Sequence, residues 1–140
     1  MNTEPMDVIC DYCRQPAELV DSATIYGRSY GMIWLCRPCD AYVGVHTNSR
    51  QRKPLGRLAN AELRRLRRAA HAAFDSLWRL KMRRHGVSKS RARSSGYKWL
   101  AEQLGIHRAQ CHIGDFDASL CQRAINVCQP YLEKFKGTNA

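Results

Sequence analysis

Cys10-Asp11-Tyr12-Cys13 and Cys36-Arg37-Pro38-Cys39 are two CxxC pairs separated by 22 residues. Each pair offers two thiolates from one tight turn, and the separation leaves room for a hairpin between the turns. That is the donor set a tetrahedral zinc ion takes. Two such pairs rarely arise from packing needs alone, so we read Cys10, Cys13, Cys36 and Cys39 as zinc ligands rather than as four buried apolar thiols. Four thiolates complete the tetrahedron and leave no open position for water, an arrangement suited to structure rather than catalysis.

The text around the pairs supports a hairpin. Ala17-Glu18-Leu19-Val20 and Thr24-Ile25-Tyr26 have the β-branched and aromatic composition of short strands, broken at Asp21-Ser22. Gly27-Arg28-Ser29-Tyr30-Gly31 reads as the turn, and Met32-Ile33-Trp34-Leu35 as the strand that delivers Cys36. Ala41-Tyr42-Val43-Gly44-Val45 again reads as strand, which favours a three-stranded zinc ribbon over a treble clef, where a helix would begin near the second pair. Arg14 rather than glycine follows the first pair, and Gln15-Pro16 must make that turn. A ribbon this small buries too little apolar surface to offset its chain entropy, so zinc should supply much of its folding free energy.

Further along, 47–56 is polar, basic and punctuated by Pro54 and Gly56, the composition of a connector. Asn60 is a candidate N-cap with Glu62 in the first turn. Leu63, Leu66, Ala70, Ala73/Phe74, Leu77 and Leu80 then recur at helical spacing up to a stop at His85-Gly86. Val87 to Ser95 reads either as a flexible basic loop or, with Ser90 as N-cap, as the first turn of a second helix over about 90–104, closed by Gly105-Ile106. A third runs over about 118–128 behind Asp117, with Leu120, Ala124 and Val127 on its apolar stripe, Pro130 as its stop and a frayed tail from Lys134. The fold class is therefore α+β: a zinc-binding β module over 1–49, a basic connector over 50–57 and a mainly α-helical part over 58–140 packed with it.

With 140 residues the chain has no room for two full-sized hydrophobic cores. Seven cysteines could indicate a secreted disulfide scaffold, but the number is odd, four fall in CxxC pairs, and the first residues lack a charged start and an apolar run. A reducing cytosol fits better. No apolar run approaches the 18 or so residues that span a bilayer, so no membrane partner is expected.

The net charge of +11 is unevenly placed: residues 1–49 carry three Lys/Arg against six Asp/Glu, residues 50–93 carry fifteen against two, and residues 94–140 carry five against four. A basic block of this kind can neutralise phosphates and release their counterions, or dock on an acidic protein. The bland alternative is a solvated helix face that keeps the protein soluble. The candidate cations are Arg50, Arg52, Lys53 and Arg57 in the connector and Arg64, Arg65, Arg67, Arg68, Arg79, Arg83 and Arg84 on the long helix. Arginine pairs bidentately with phosphate, and Tyr26, Tyr30, Trp34 and Tyr42 are candidates for stacking on bases, although half of these aromatics must pack the ribbon's core. Sequence-specific readout is not indicated.

Two other constellations compete. His107, Cys111, His112, Cys121 and Cys128 could form a second metal site, but their spacings match no defined finger and core packing is the better account. His46, Asn60 and His71 follow the order of a His-Asn-His endonuclease. That reading is disfavoured because Val45 rather than an acidic residue or histidine precedes His46, and both CxxC pairs lie before all three residues. No enzyme is expected.

The runs Cys10-Asp-Tyr-Cys13, Tyr26-Gly-Arg-Ser-Tyr-Gly31, Trp34-Leu-Cys-Arg-Pro-Cys-Asp-Ala-Tyr-Val-Gly-Val-His46, Pro54-Leu-Gly-Arg-Leu-Ala59, Ala70-His-Ala-Ala-Phe-Asp75, Tyr97-Lys-Trp-Leu-Ala101 and Cys111-His-Ile-Gly114 resemble a family of zinc-finger-containing domains found in bacteria, prophages and phages. The resemblance covers nearly the whole chain. It implies zinc at the two CxxC pairs and a phage or mobile-element origin, and supplies no activity. Three expectations follow: nucleic-acid binding by the basic middle; an inhibitor or adaptor of a host protein complex, such as an anti-CRISPR or other anti-defence factor; and, last, the nuclease. The text around Arg50 to Lys53 and Arg83 to Arg93 is more basic than the family pattern leads one to expect.

Overall fold

The computed structural model describes residues 6–138, and side chains as far as Lys134. β1 (Glu18–Asp21), β2 (Met32–Cys36) and β3 (Ala41–Gly44) form an antiparallel sheet in chain order. Its register aligns Leu19, Trp34 and Val43 across all three strands. Because side chains alternate along a strand, this row shares one face, where it packs with Val8, Cys10, Cys36, Ala41 and Leu58. Ile33 and Leu35 point the other way and are also buried, so the central strand is covered on both faces. Trp34 therefore belongs to the core rather than to a stacking surface; its indole N–H donates to the Arg52 carbonyl at 2.6 Å.

One predicted strand is a helix. Ala23–Tyr26 form a single turn, α1, closed by Gly27 in the left-handed region at φ 70°. The Asp21 carboxylate accepts from the Ala23 N–H at 2.8 Å and the buried Ser22 hydroxyl accepts from the Tyr30 N–H at 2.7 Å. These local side-chain bonds hold the backbone in a turn against the β preference of Thr24 and Ile25. The hairpin from β1 to β2 survives, with α1 inside its loop.

The stretch read as a connector folds back on the sheet. The His46 N–H donates to the Lys53 carbonyl, after which 54–59 returns beside β3 through bridges at Val45–Pro54 and Tyr42–Ala59. The chain divides into two compact units, residues 1–62 and 63–140.

The second unit is helical. α2 (Ala61–His85) buries Leu63, Ala70, Phe74 and Trp78. Leu66, Leu77 and Leu80 of the predicted stripe are half-buried at its edges, and Trp78, absent from that stripe, lies at its centre. α3 (Lys89–Leu104) is capped by Ser88, two residues before the predicted cap; the Ser88 hydroxyl accepts from the Arg91 N–H at 3.2 Å. Gly96 lets α3 approach α2 closely, since a Cβ there would lie 3.1 Å from two ring carbons of Phe74. Two short 3-10 turns, Arg108–Gln110 and Ile113–Asp115, lead to α4 (Ala118–Thr138), where the Asp117 carboxylate accepts from the Leu120 N–H at 2.8 Å.

Pro130 does not stop α4, and the tail predicted to fray from Lys134 continues as helix to Thr138. Pro130 is exposed, so it forfeits one backbone hydrogen bond while the turns on either side carry on. Asn139 and Ala140, the end of that tail, and Met1–Pro5, part of the start where no charged and apolar run was expected, lie outside the described residues. No helix among the described residues is long and apolar enough to cross a membrane.

Candidate metal centre

Each CxxC pair sits on a turn that ends in an unusual backbone conformation. The Cys10 carbonyl accepts from the Arg14 N–H at 2.9 Å, the Cys10 N–H donates to the Gln15 carbonyl at 2.9 Å, and Arg14 takes φ 63°. After the second pair the Asp40 N–H donates to the Arg37 carbonyl at 3.2 Å with Asp40 at φ 51°. These left-handed residues reverse the chain directly behind the ligands, at positions where glycine would be the unstrained choice. Arg14 thus makes the turn that the sequence assigned to Gln15-Pro16.

β2 ends at Cys36 and the first turn precedes β1, so the β1–β2 pairing brings the two turns together. The four cysteine sulfurs all lie within 4.8 Å of one another, and Sγ of Cys13 and Cys36 are 3.6 Å apart. Zinc–sulfur bonds of about 2.3 Å in a tetrahedron place the sulfurs about 3.8 Å apart, so the cluster has the right size. Cys10 and Cys36 are buried in the ribbon core and Cys13 and Cys39 half-exposed.

Electrostatics point the same way. A backbone N–H bond from Gln15 lowers the Cys13 thiol below its usual range, against some desolvation. Burial raises Cys36, and it raises Cys39 to about 12 with the neighbouring cysteines adding to the effect. Four thiolates this close repel one another, and a divalent cation removes that conflict by taking the place of the protons. Among the described residues this is the one His/Cys/Asp/Glu group arranged to hold a metal ion.

A family model described as a zinc-finger-containing domain matches residues 6–131. The chain belongs to this family. No curated protein and no solved structure matches it. The matched span contains all four ligands, and together with the sulfur cluster it makes Cys10, Cys13, Cys36 and Cys39 the zinc site of this zinc-finger-containing domain. Zinc there would tie the start of β1 to the end of β2 and leave no ligand position for substrate.

The second cysteine set is core. Cys111, Cys121 and Cys128 are fully buried, and they form no metal cluster with His107 or His112, both of which are exposed. Burial raises all three thiols, Cys128 to about 11, with Arg108 partly offsetting the effect at Cys111 and Arg67 at Cys121. They are protonated and inert at neutral pH. Of the His-Asn-His set, His46 is exposed, whereas Asn60 and His71 are half-buried. Asn60 donates its backbone N–H to the Tyr12 hydroxyl at 3.1 Å.

The predicted cations divide by environment. Arg50, Arg52, Lys53 and Arg57 are exposed, as are Arg65, Arg68, Arg79, Arg83 and Arg84 on α2. Arg64 and Arg67 are half-buried, and the Arg67 guanidinium donates from Nε to the Phe116 carbonyl at 3.0 Å, which gives it a structural task. Arg79 lies over the Trp78 ring at 5.2 Å. In the ribbon unit, Tyr26 meets Tyr30 and Tyr42 edge-on at 5.8 and 6.0 Å, and Arg28 caps Tyr30, which is 72 % exposed. A further cationic group was not named among the candidate binding residues: Lys89, Arg91 and Arg93, which lie within the basic block, with Lys98 and Arg108 beyond it. The repeat of Lys89, Arg93 and Tyr97 at four-residue steps was the available signal.

Proposed function

We propose that this protein is a zinc-stapled, non-enzymatic binding module that engages nucleic acid through its basic middle, the connector 50–57 and helix α2. The observation carrying this reading is the concentration of the +11 net charge in residues 50–93, much of it on exposed arginines. Arginines on a rigid helix can neutralise successive phosphates without ordering a flexible segment first, and the gain comes from released counterions. The closed four-cysteine site supports a structural rather than chemical role for zinc, and the exposed tyrosines of the ribbon supply faces on which bases can stack.

The tyrosine cluster with Arg28 favours one second reading, since aromatic residues and arginine are also what the centre of a protein interface uses. On that reading the module is a phage- or mobile-element-encoded inhibitor or adaptor that occupies a host protein complex in the cytosol, an anti-defence factor for example.

Fluorescence anisotropy with labelled single-stranded DNA, duplex DNA and RNA at several salt concentrations tests the first reading. Affinity should fall steeply with salt. Charge reversal of Arg65, Arg68, Arg79 and Arg83 should flatten the logarithmic salt slope on duplex by about 3 to 4, at about 0.9 per phosphate contact. No binding near physiological salt, with a tyrosine-dependent host protein recovered instead, would establish the second.

A further inference from the structure

We infer that the nucleic-acid surface continues from α2 onto α3, where a stretch of phosphodiester backbone is seated in a basic groove whose cations, Lys81, Arg108 and those of α3, lie beyond the arginines singled out above. The inference rests on the nucleic-acid reading above and extends its binding site. Two concave surfaces of about 610 and 800 Å³ run along α3 and share Ser90, Ser94 and Arg108. Lys89, Arg93, Tyr97 and His112 complete the first; Lys81, Arg91 and Lys98 line the second. Ser90 and Ser94, one turn apart on α3, line both surfaces, and their short side chains offer hydroxyl donors.

Charge and order both favour a phosphodiester backbone. Neither surface is lined by a carboxylate, and among the described residues none of these cations pairs with one. Arg93 and Arg108 approach the buried Tyr97 ring, their guanidinium carbons 5.8 and 5.0 Å from its centre. Lys81 donates to the Ser95 hydroxyl at 2.9 Å, and Lys89 lies 5.9 Å from the centre of the Trp78 ring. Contacts of this kind hold long side chains in place before a ligand arrives, which lowers the entropy lost on binding. From Lys89 to Lys98 the helix rises about 13 Å, enough for a short run of successive phosphates. Tyr97 is 5 % exposed, so it orients the arginines rather than stacking on a base. Recognition here is of the backbone, without base readout.

The test uses the full-length zinc-loaded protein with a fluorescein-labelled 20-nucleotide single strand and the matching duplex. K89E/R93E/R108E should weaken single-strand binding at least about tenfold at 100 mM salt and flatten its logarithmic salt slope by about 2, at about 0.7 per contact. R91E/K98E, which changes two exposed positions, guards against misfolding as the cause. It should also weaken binding while its helical circular dichroism and melting temperature match the parent. If the parent binds and both variants bind equally well, the α3 seat is wrong while the nucleic-acid reading stands. If the parent binds neither probe, both fall. Groove-dependent binding of polyglutamate with none of either nucleic acid would also overturn the seat, since its occupant would then be an acidic polypeptide.

Discussion

Cys36→Ser and Cys128→Ser make the same chemical change at two buried cysteines, 4 % and 0 % exposed, and should have different consequences because only one of them binds zinc. At either position the new hydroxyl enters an apolar setting, and a buried donor without a partner costs about 1–3 kcal/mol. At Cys128 that is the whole effect. At Cys36 a thiolate is lost as well. Structural zinc sites contribute about 10–16 kcal/mol of apparent folding free energy, which divided evenly over four thiolates gives about 2.5–4 kcal/mol each, or roughly 70- to 900-fold in zinc affinity. The summed loss of about 4–7 kcal/mol approaches the entire stability of a small domain. The ribbon unit of Cys36→Ser should therefore lose order while the helical unit keeps its dichroism at 222 nm. Zinc affinity is read by competition against a chromogenic chelator, and order in the ribbon by hydrogen exchange at the β2 amides. Unchanged zinc affinity in Cys36→Ser, or protection of β2 equal to the parent's, would refute the assignment; so would a Cys128→Ser variant that lost zinc.

Three further outcomes can be checked on the same protein. Of the seven cysteines, a chelator should make four reactive to a thiol reagent, and the remaining three, Cys111, Cys121 and Cys128, should react only after global denaturation; reaction of all seven on chelation alone would contradict their burial. Arg14→Gly should stabilise the zinc-loaded ribbon by up to about 1 kcal/mol in urea titrations, because glycine takes the left-handed conformation now held at φ 63° without a Cβ clash. Gly96→Val should destabilise the helical unit by about 1–3 kcal/mol in thermal melts, since Phe74, 1 % exposed and packed 4.5 Å from Tyr97, has little room to yield to a side chain arriving at 3.1 Å.

The zinc site was legible in the sequence because its information is local: each CxxC makes its own turn, and the chemistry of four thiolates admits few other uses. Helix α2 was legible for a similar reason, since a long apolar period closed by a glycine sums many small preferences in one direction; α3 was marked only by a cap residue and by Gly105, and its true cap lies two residues earlier. Short segments carry no such sum. Thr24-Ile25-Tyr26 has strand composition, yet two side-chain bonds from Asp21 and Ser22 suffice to coil it into α1. Pro130 in isolation marks a stop, yet α4 continues past it.

Residue identities and their spacing thus sufficed for the metal ligands, the strand-then-helix order and the location of positive charge along the chain. The tertiary structure alone decided which aromatic residues are core. Trp34 is fixed by register between Leu19 and Val43, whereas Tyr30 on the neighbouring loop stays exposed. It also decided that Cys111, Cys121 and Cys128 are packing residues, because burial depends on what lies across from a side chain. And it divided the cations into those tied to the fold, such as Arg67, and those that converge on a groove. The charge on a residue is written in its identity; whether that charge faces a carbonyl, a ring or open solvent is set by neighbours dozens of positions away in the chain, as Arg67 and Phe116 are.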